Sequence, residues 1–168
     1  MSFATLAPLV DSTAFRGAMG AVATPVSVVT SFDQRPHGTT VSAFASLSLD
    51  PPMVLVSLQS DSDLLQVVKR TERFAINVLS AAQTAVAARF ARRDIDRFAD
   101  VAWHLEGGVP RLGGVASWSA CRVESLIVCG DHTIVTGLVE LADHAEVAGL
   151  VYQHRRFGVF TPTDPTPA

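Results

Sequence analysis

HGTTVSAFASLSLDPPMVLVSL, from His37 to Leu58, carries small hydroxylated residues on two β-rich segments and separates them with a double proline. Val41, Phe44 and Leu47 interleave with Thr39, Thr40, Ser42, Ser46 and Ser48, so hydroxyl and backbone donors lie beside apolar surface. That mixture suits a flat heteroaromatic ligand with a polar tail. It equally suits an edge strand with a solvated Ser/Thr face, because threonine enters strands readily. The residues alone leave both readings open.

Upstream, PVSVVTSF (Pro25 to Phe32) alternates along a strand, and DQRPHG supplies the turn of a hairpin into the quoted stretch. Asp11 caps a short helix to Met19, with Phe15 and Met19 on one face, expected to lie as a lid or plug on a barrel end. Downstream, MVLVSLQ predicts a buried strand, SDSDLLQVVKRT a capped helix and FAINVL another strand. Ser80 and Gln83 make a capping-box pattern ahead of AAQTAVAARFARR, whose alanines favour a helix and whose last turn is basic.

The second half alternates through WSACRVESLIV, a CGDH turn, TIVTGLVEL and LVYQHRRFGVF, with turns at Gly107, Gly108, Gly113 and Gly114 before it. Strands outnumber short helices. The expected fold is therefore mainly β, an antiparallel closed or split barrel with a few peripheral helices. No GxGxxG follows a strand, which excludes the Rossmann signature.

The 168 residues fit one domain spanning 1–168, with an ordered core of about 12–160 and a frayed proline-rich tail, TPTDPTPA. Hydrophobic content of 48% against 17% charged, with mean hydropathy +0.31, is apolar enough to suggest surface hidden in a homodimer. A net charge of −3 and arginines mixed with aspartates argue against nucleic acid. No run reaches the ~18 apolar residues of a spanning helix, and MSFATLAPLVDS lacks a basic leader, so no membrane association and a cytoplasmic location are expected. Cys121 and Cys129 form no metal-ligand pattern; no metal is expected, and both read as reduced, buried thiols.

FRGAMGAVATPVSVVT, PHGTTVSAFASLSLDPPMVLVSL, FAINVL with a following Gln and ARFA, DRF at Asp96 to Phe98, and GDHTIVTG at Gly130 to Gly137 together resemble the small flavin reductases that serve two-component flavin-dependent monooxygenases. The resemblance runs from about Phe15 to Gly158 and implies an FMN-binding split barrel, commonly a homodimer. It implies that Thr40, Val41 and Ser42 meet the isoalloxazine edge and that Ser46, Leu47 and Ser48 lie along the ring and ribityl chain. Ser62, Arg89, Phe90 and Arg97 would reach the phosphate. Arg89 also fits a helix-dipole role and Ser62 an N-cap.

His132 of the GDH turn would face the nicotinamide, together with Arg156 and Phe157 of YQHRRFG, where Arg155 replaces a common glycine. The implied activity is hydride transfer from NADH or NADPH to FMN or FAD, supplying reduced flavin to a partner monooxygenase. A flavin carrier or sensor without reductase activity, favoured by Arg155, is the competing expectation, and a structural barrel that binds no flavin is the third.

Overall fold

The computed structural model describes residues 9–163. Its elements are α1 (Ser12–Gly20), β1 (Thr24–Pro25), β2 (Ser27–Asp33), β3 (Arg35–Val41), β4 (Phe44–Leu49), β5 (Pro52–Gln59), α2 (Asp63–Thr71), β6 (Arg73–Val78), α3 (Thr84–Phe90), β7 (Trp103–Glu106), β8 (Val109–Leu112), β9 (Ser117–Cys129), β10 (His132–His144), β11 (Leu150–Gln153) and β12 (Arg156–Val159). Seven strands form an antiparallel sheet in the order β3-β2-β6-β9-β10-β5-β4, beside the small sheets β1-β11-β12 and β7-β8.

The outermost strands β3 and β4 are consecutive in the chain, and only Ser42 and Ala43 separate them. A flat seven-stranded sheet would hold its edges far apart, so so short a connection requires the sheet to curl until the edges meet. Val41 from one edge and Val56 beside the other accordingly pack in one core cluster, with Phe44 against it. No ladder joins β3 to β4, which makes the barrel split.

The central strands bury both faces. On β2, Val28 enters the cluster of Ala75, Phe90, Trp118 and Leu150, while Val29 enters that of Val56, Leu65, Phe74 and Val135. Polar residues on the same strand are satisfied: Ser27 Oγ donates to Val41 O (2.8 Å), Thr30 Oγ1 to Pro110 O (2.7 Å) and Ser31 Oγ to Arg73 O (2.7 Å). Gly137 stands at a register shift in β10, and a Cβ there would come within 2.7 Å of the fully buried Phe74 ring. Only glycine lets that ring fill the barrel.

Several expectations need correction. Asp11 Oδ1 caps α1 by accepting from Thr13 N–H (2.8 Å) and Ala14 N–H (3.0 Å), yet the helix buries no residue. It plugs nothing within the chain: Phe15 and Met19 stay about half exposed. The helix expected from the Ser80 cap starts only at Thr84, because Gln83 spends its side chain on Ser80 N–H (3.0 Å) and Gly113 O (2.8 Å). Half of the capping box forms, and it holds a turn rather than a helix start. LVYQHRRFGVF is a hairpin, with His154 and Arg155 at its tip.

The thiols differ as well. Burial pushes Cys121 up to about 12, whereas Cys129 is exposed near the far end of the same strand. Most of the expected frayed tail, residues 164–168, lies outside the described residues. No described helix is long and apolar enough to cross a membrane.

Candidate functional site

One end of the barrel gathers β3, the β5 to α2 connection, and the loop after α3 around a cavity of about 230 Å³. Thr39, Gln59, Ser62, Arg93 and Arg97 line it, together with Asp61, Asp63 and Leu64. Ser62 is the N-cap of α2: its Oγ accepts from Leu65 N–H (3.3 Å) and donates to Gln59 O (2.8 Å). The hydroxyl is committed, so Ser62 contributes to the cavity by fixing where the helix begins. The first N–H groups of α2 have no helical acceptor and carry the positive end of its dipole.

Two guanidinium groups complete the wall. Arg97 donates Nη1 to Gly38 O (2.7 Å) and Nε to Arg92 O, which pins the fork between β3 and the α3 loop. Burial lowers the pKa of Arg97, and the Asp63 charge opposes that. Arg93 is exposed and held by one side-chain contact, Nη2 to Gln59 Oε1 (2.9 Å). Sequence reasoning counted Arg93 only as part of a mixed charge run and passed over Gln59; a long polar side chain ending the β5 strand was the available signal.

Arg89 is spent differently. Its Nε donates to Arg97 O (3.1 Å) and its Nη2 to Asp96 O (2.9 Å), so it braces the loop that carries Arg97. Phe90 is fully buried against Phe98, with ring centroids 4.9 Å apart, and supports the cavity from behind. Thr40 Oγ1 donates to Ala87 O (2.7 Å), and the Val41 side chain belongs to the core. Neither side chain is free to meet a ligand.

Ser42, Ser46 and Leu47 are exposed and Ser48 is half-buried. β4 pairs only with β5, so its other edge presents open backbone donors and acceptors, and a register shift between Ser46 and Ser48 breaks the ladder at Leu47. The run from Phe44 to Leu49 is thus an edge with apolar side chains beside open hydrogen-bonding backbone.

His132 begins β10 opposite Gln59, at the same end of the barrel as the cavity. Ser60 N–H donates to Asp131 O (3.0 Å), and the Ser60 and Thr133 hydroxyls bond at 3.0 Å, stitching the Gly130-Asp131 turn to the start of α2. The Nδ1 of His132 lies 2.7 Å from Asp131 Oδ1. This contact holds the Asp131 carboxyl below the usual carboxylate range. An ionised carboxylate can only accept, so Nδ1 is the donor in this contact and fixes the orientation of the ring.

Arg156 and Phe157 do not line this cavity. They sit on β12 in the smaller sheet, where Phe157 packs on Tyr152 with centroids 5.2 Å apart. Arg155 has φ +61° and His154 +48°, a left-handed hairpin tip. There glycine carries no Cβ penalty, whereas an arginine costs on the order of 1 kcal/mol. That is the physical meaning of the departure noted in the sequence. Among the described residues no cluster of His, Cys, Asp and Glu could hold a metal.

The donor set fits a phosphorylated flavin: guanidinium groups and a helix start for phosphate, an open strand edge for the ring. The flavin reductase like domain model matches residues 19–161. A Rhizobium meliloti protein is 43% identical over 159 residues, covering 93% of this chain, which spans 50% of that relative's length. The reductase component of a 4-nitrophenol 4-monooxygenase/4-nitrocatechol 2-monooxygenase from Rhodococcus opacus is 37% identical over 158 residues, 94% of this chain and 85% of that one. The structure of the Streptomyces globisporus NADH:FAD oxidoreductase SgcE6, in complex with NAD and FAD fragments, superposes with TM-score 0.88 at 34% identity, covering 95% of this chain and all of that one. The chain therefore belongs to the flavin reductase like domain family.

Proposed function

We propose that this chain is an NAD(P)H:flavin oxidoreductase that supplies reduced flavin to a separate monooxygenase. The observation that carries the reading is the convergence, at one barrel end, of Arg93, Arg97 and the start of α2 with His132. A bound FMN or FAD supplies the electron-accepting chemistry, taking hydride from NADH or NADPH. The protein's share would be placement, because hydride transfer needs the nicotinamide C4 and the flavin N5 brought to about 3 to 3.5 Å and little acid or base catalysis.

Arg93 and Arg97 hold the phosphate by charge-assisted hydrogen bonds, and the backbone of Thr40 to Ser48 borders the ring. Those backbone N–H groups are fixed donors, suited to stabilising negative charge on the ring without reorganisation. His132, oriented through Nδ1 by Asp131, presents Nε2 to the carboxamide side of the nicotinamide. Arg156 and Phe157 lie on another sheet, and in this reading they would join the site across an interface with a second subunit.

A homodimer provides that interface. β6 covers β9 only from Ser117 to Arg122, so the distal half of β9 has one open edge bearing the exposed Leu126, Ile127 and Val128. Open edges with apolar side chains invite pairing with a second copy. Light scattering reporting a monomer at working concentration would remove Arg156 and Phe157 from the site. A cytoplasmic location fits the unpaired thiols and the need for reduced nicotinamide.

Anaerobic stopped-flow absorbance tests the activity: protein mixed with FMN or FAD and then NADH or NADPH should bleach the flavin far faster than a protein-free control. Flavin that binds and stays oxidised would move the chain to the carrier reading. His132→Ala should raise KM for the nicotinamide nucleotide by about tenfold, the value of one lost hydrogen bond, with little change in flavin Kd. Equal loss of both would remove His132 from the nicotinamide side.

A further inference from the structure

A second cavity, of about 650 Å³, adjoins the first and shares Asp63, Leu64, Arg93 and Arg97 with it. The guanidinium of Arg97, fixed on Gly38 O, stands on the boundary. Beyond it the wall is Arg35, Pro36 and His37 of β3, facing Trp103 and the loop after α3. The proposed function makes no use of this space.

β3 orders the two cavities. Val41 ends the strand, with two residues between it and the β4 edge proposed to border the ring, Thr39 lines the phosphate cavity, and Arg35 to Gly38 line the larger one. Thr39 and Arg35 are separated by roughly 14 Å at ~3.4 Å per residue. A ligand with its ring past Val41 and a phosphate at Thr39 has this groove ahead of it along the strand. The groove's chemistry is distinctive. Arg35 is the one arginine of this groove that the phosphate cavity does not share, and it leaves a guanidinium for a second phosphate beside the carboxylates Asp63 and Asp96. Proline, indole and imidazole supply flat surface for a base. Burial, assisted by Arg35, keeps His37 below its ordinary pKa and its ring uncharged near neutrality.

We propose that this groove is an adenylate subsite, so that the chain prefers FAD to FMN. The inference rests on the flavin reading above and adds which flavin and which residues choose it. Arg35 is the selecting residue, reaching the second phosphate or its ribose; Trp103 and His37 border the adenine.

Equilibrium titration with oxidised FAD and FMN, followed by flavin fluorescence, tests it in the wild type and in Arg35→Ala, an exposed position whose replacement leaves the core intact. The wild type should bind FAD about tenfold more tightly than FMN, the worth of one charge-assisted contact, and Arg35→Ala should bring the ratio near one. AMP alone should quench tryptophan emission, and the responsive residue is Trp103, since Trp118 is 2% exposed. Equal wild-type affinities, or an FAD preference that survives Arg35→Ala, would overturn the subsite while FMN binding keeps the flavin reading standing. If Arg35→Ala instead weakens NADH binding without flavin and the FAD:FMN ratio is one, the groove serves the dinucleotide and the proposal fails. Absence of binding by either flavin would overturn both readings.

Discussion

Arg93→Ala should weaken FMN and FAD binding about ten- to hundredfold and leave riboflavin unaffected, because a charge-assisted hydrogen bond to phosphate is worth roughly 1.5 to 3 kcal/mol. The argument turns on what else each arginine does. Arg97 holds Gly38 O and Arg92 O, and Arg89 holds Asp96 O and Arg97 O, so removing either disturbs the loop as well as any ligand. Arg93 touches only the Gln59 amide and is exposed, which makes its truncation a clean deletion of charge. Isothermal titration with the three flavins checks it. Riboflavin losing as much affinity as FMN would mean that Arg93 shapes the cavity rather than pairing with phosphate. The effect should also shrink with added salt, since the contact is open to solvent.

The largest effect on stability is expected at Asn77. Its fully buried amide donates to Val28 O and Thr30 Oγ1 (both 3.1 Å) and to Pro110 O (3.4 Å), while Oδ1 accepts from Leu112 N–H (2.8 Å). One side chain thus ties β2 and β6 to the β7-β8 hairpin. Asn77→Ala leaves the Leu112 N–H without this partner in a dry interior, strips one donor from Val28 O, Thr30 Oγ1 and Pro110 O, and opens a cavity, costing about 3 kcal/mol. Thr30→Val removes a single member of the network and should cost about 1 kcal/mol. Urea denaturation of both variants measures the difference, and equal losses would show that the network does not act through Asn77.

Much of this architecture was legible where signals are local. The alternation of β9 and β10 around Gly130-Asp131, the Ser62 cap and the double proline at the start of β5 each depend on neighbours in the chain. What escaped depends on partners far along it. Thr40 looked like a ligand donor, but its acceptor, Ala87 O, lies 47 residues away. Gln83 does accept from Ser80 N–H, but its amide nitrogen also donates to Gly113 O, 30 residues on, and the helix starts only at Thr84. Asn77 drew no notice because a lone asparagine in an apolar strand carries no spacing pattern that announces four buried partners.

The site residues divide on the same line. Ser62 and Arg97 line the cavity and His132 starts the neighbouring strand, since their motifs also set local geometry. Arg89 and Phe90 occupy the expected segment, but helical periodicity turns their side chains toward the loop and the core. Arg93 needed the fold to separate it from an ordinary basic helix end.

The two-residue junction at Ser42 and Ala43 bears on timing. It marks a seam where the sheet comes round to itself with no ladder to unzip. A flavin bound along that seam, as proposed above, would displace water and side chains without any interstrand hydrogen bond breaking and reforming as it comes or goes. Its residence would then be governed by the few contacts at its two ends, so the same barrel could grip or surrender its cargo according to which of those contacts it carries.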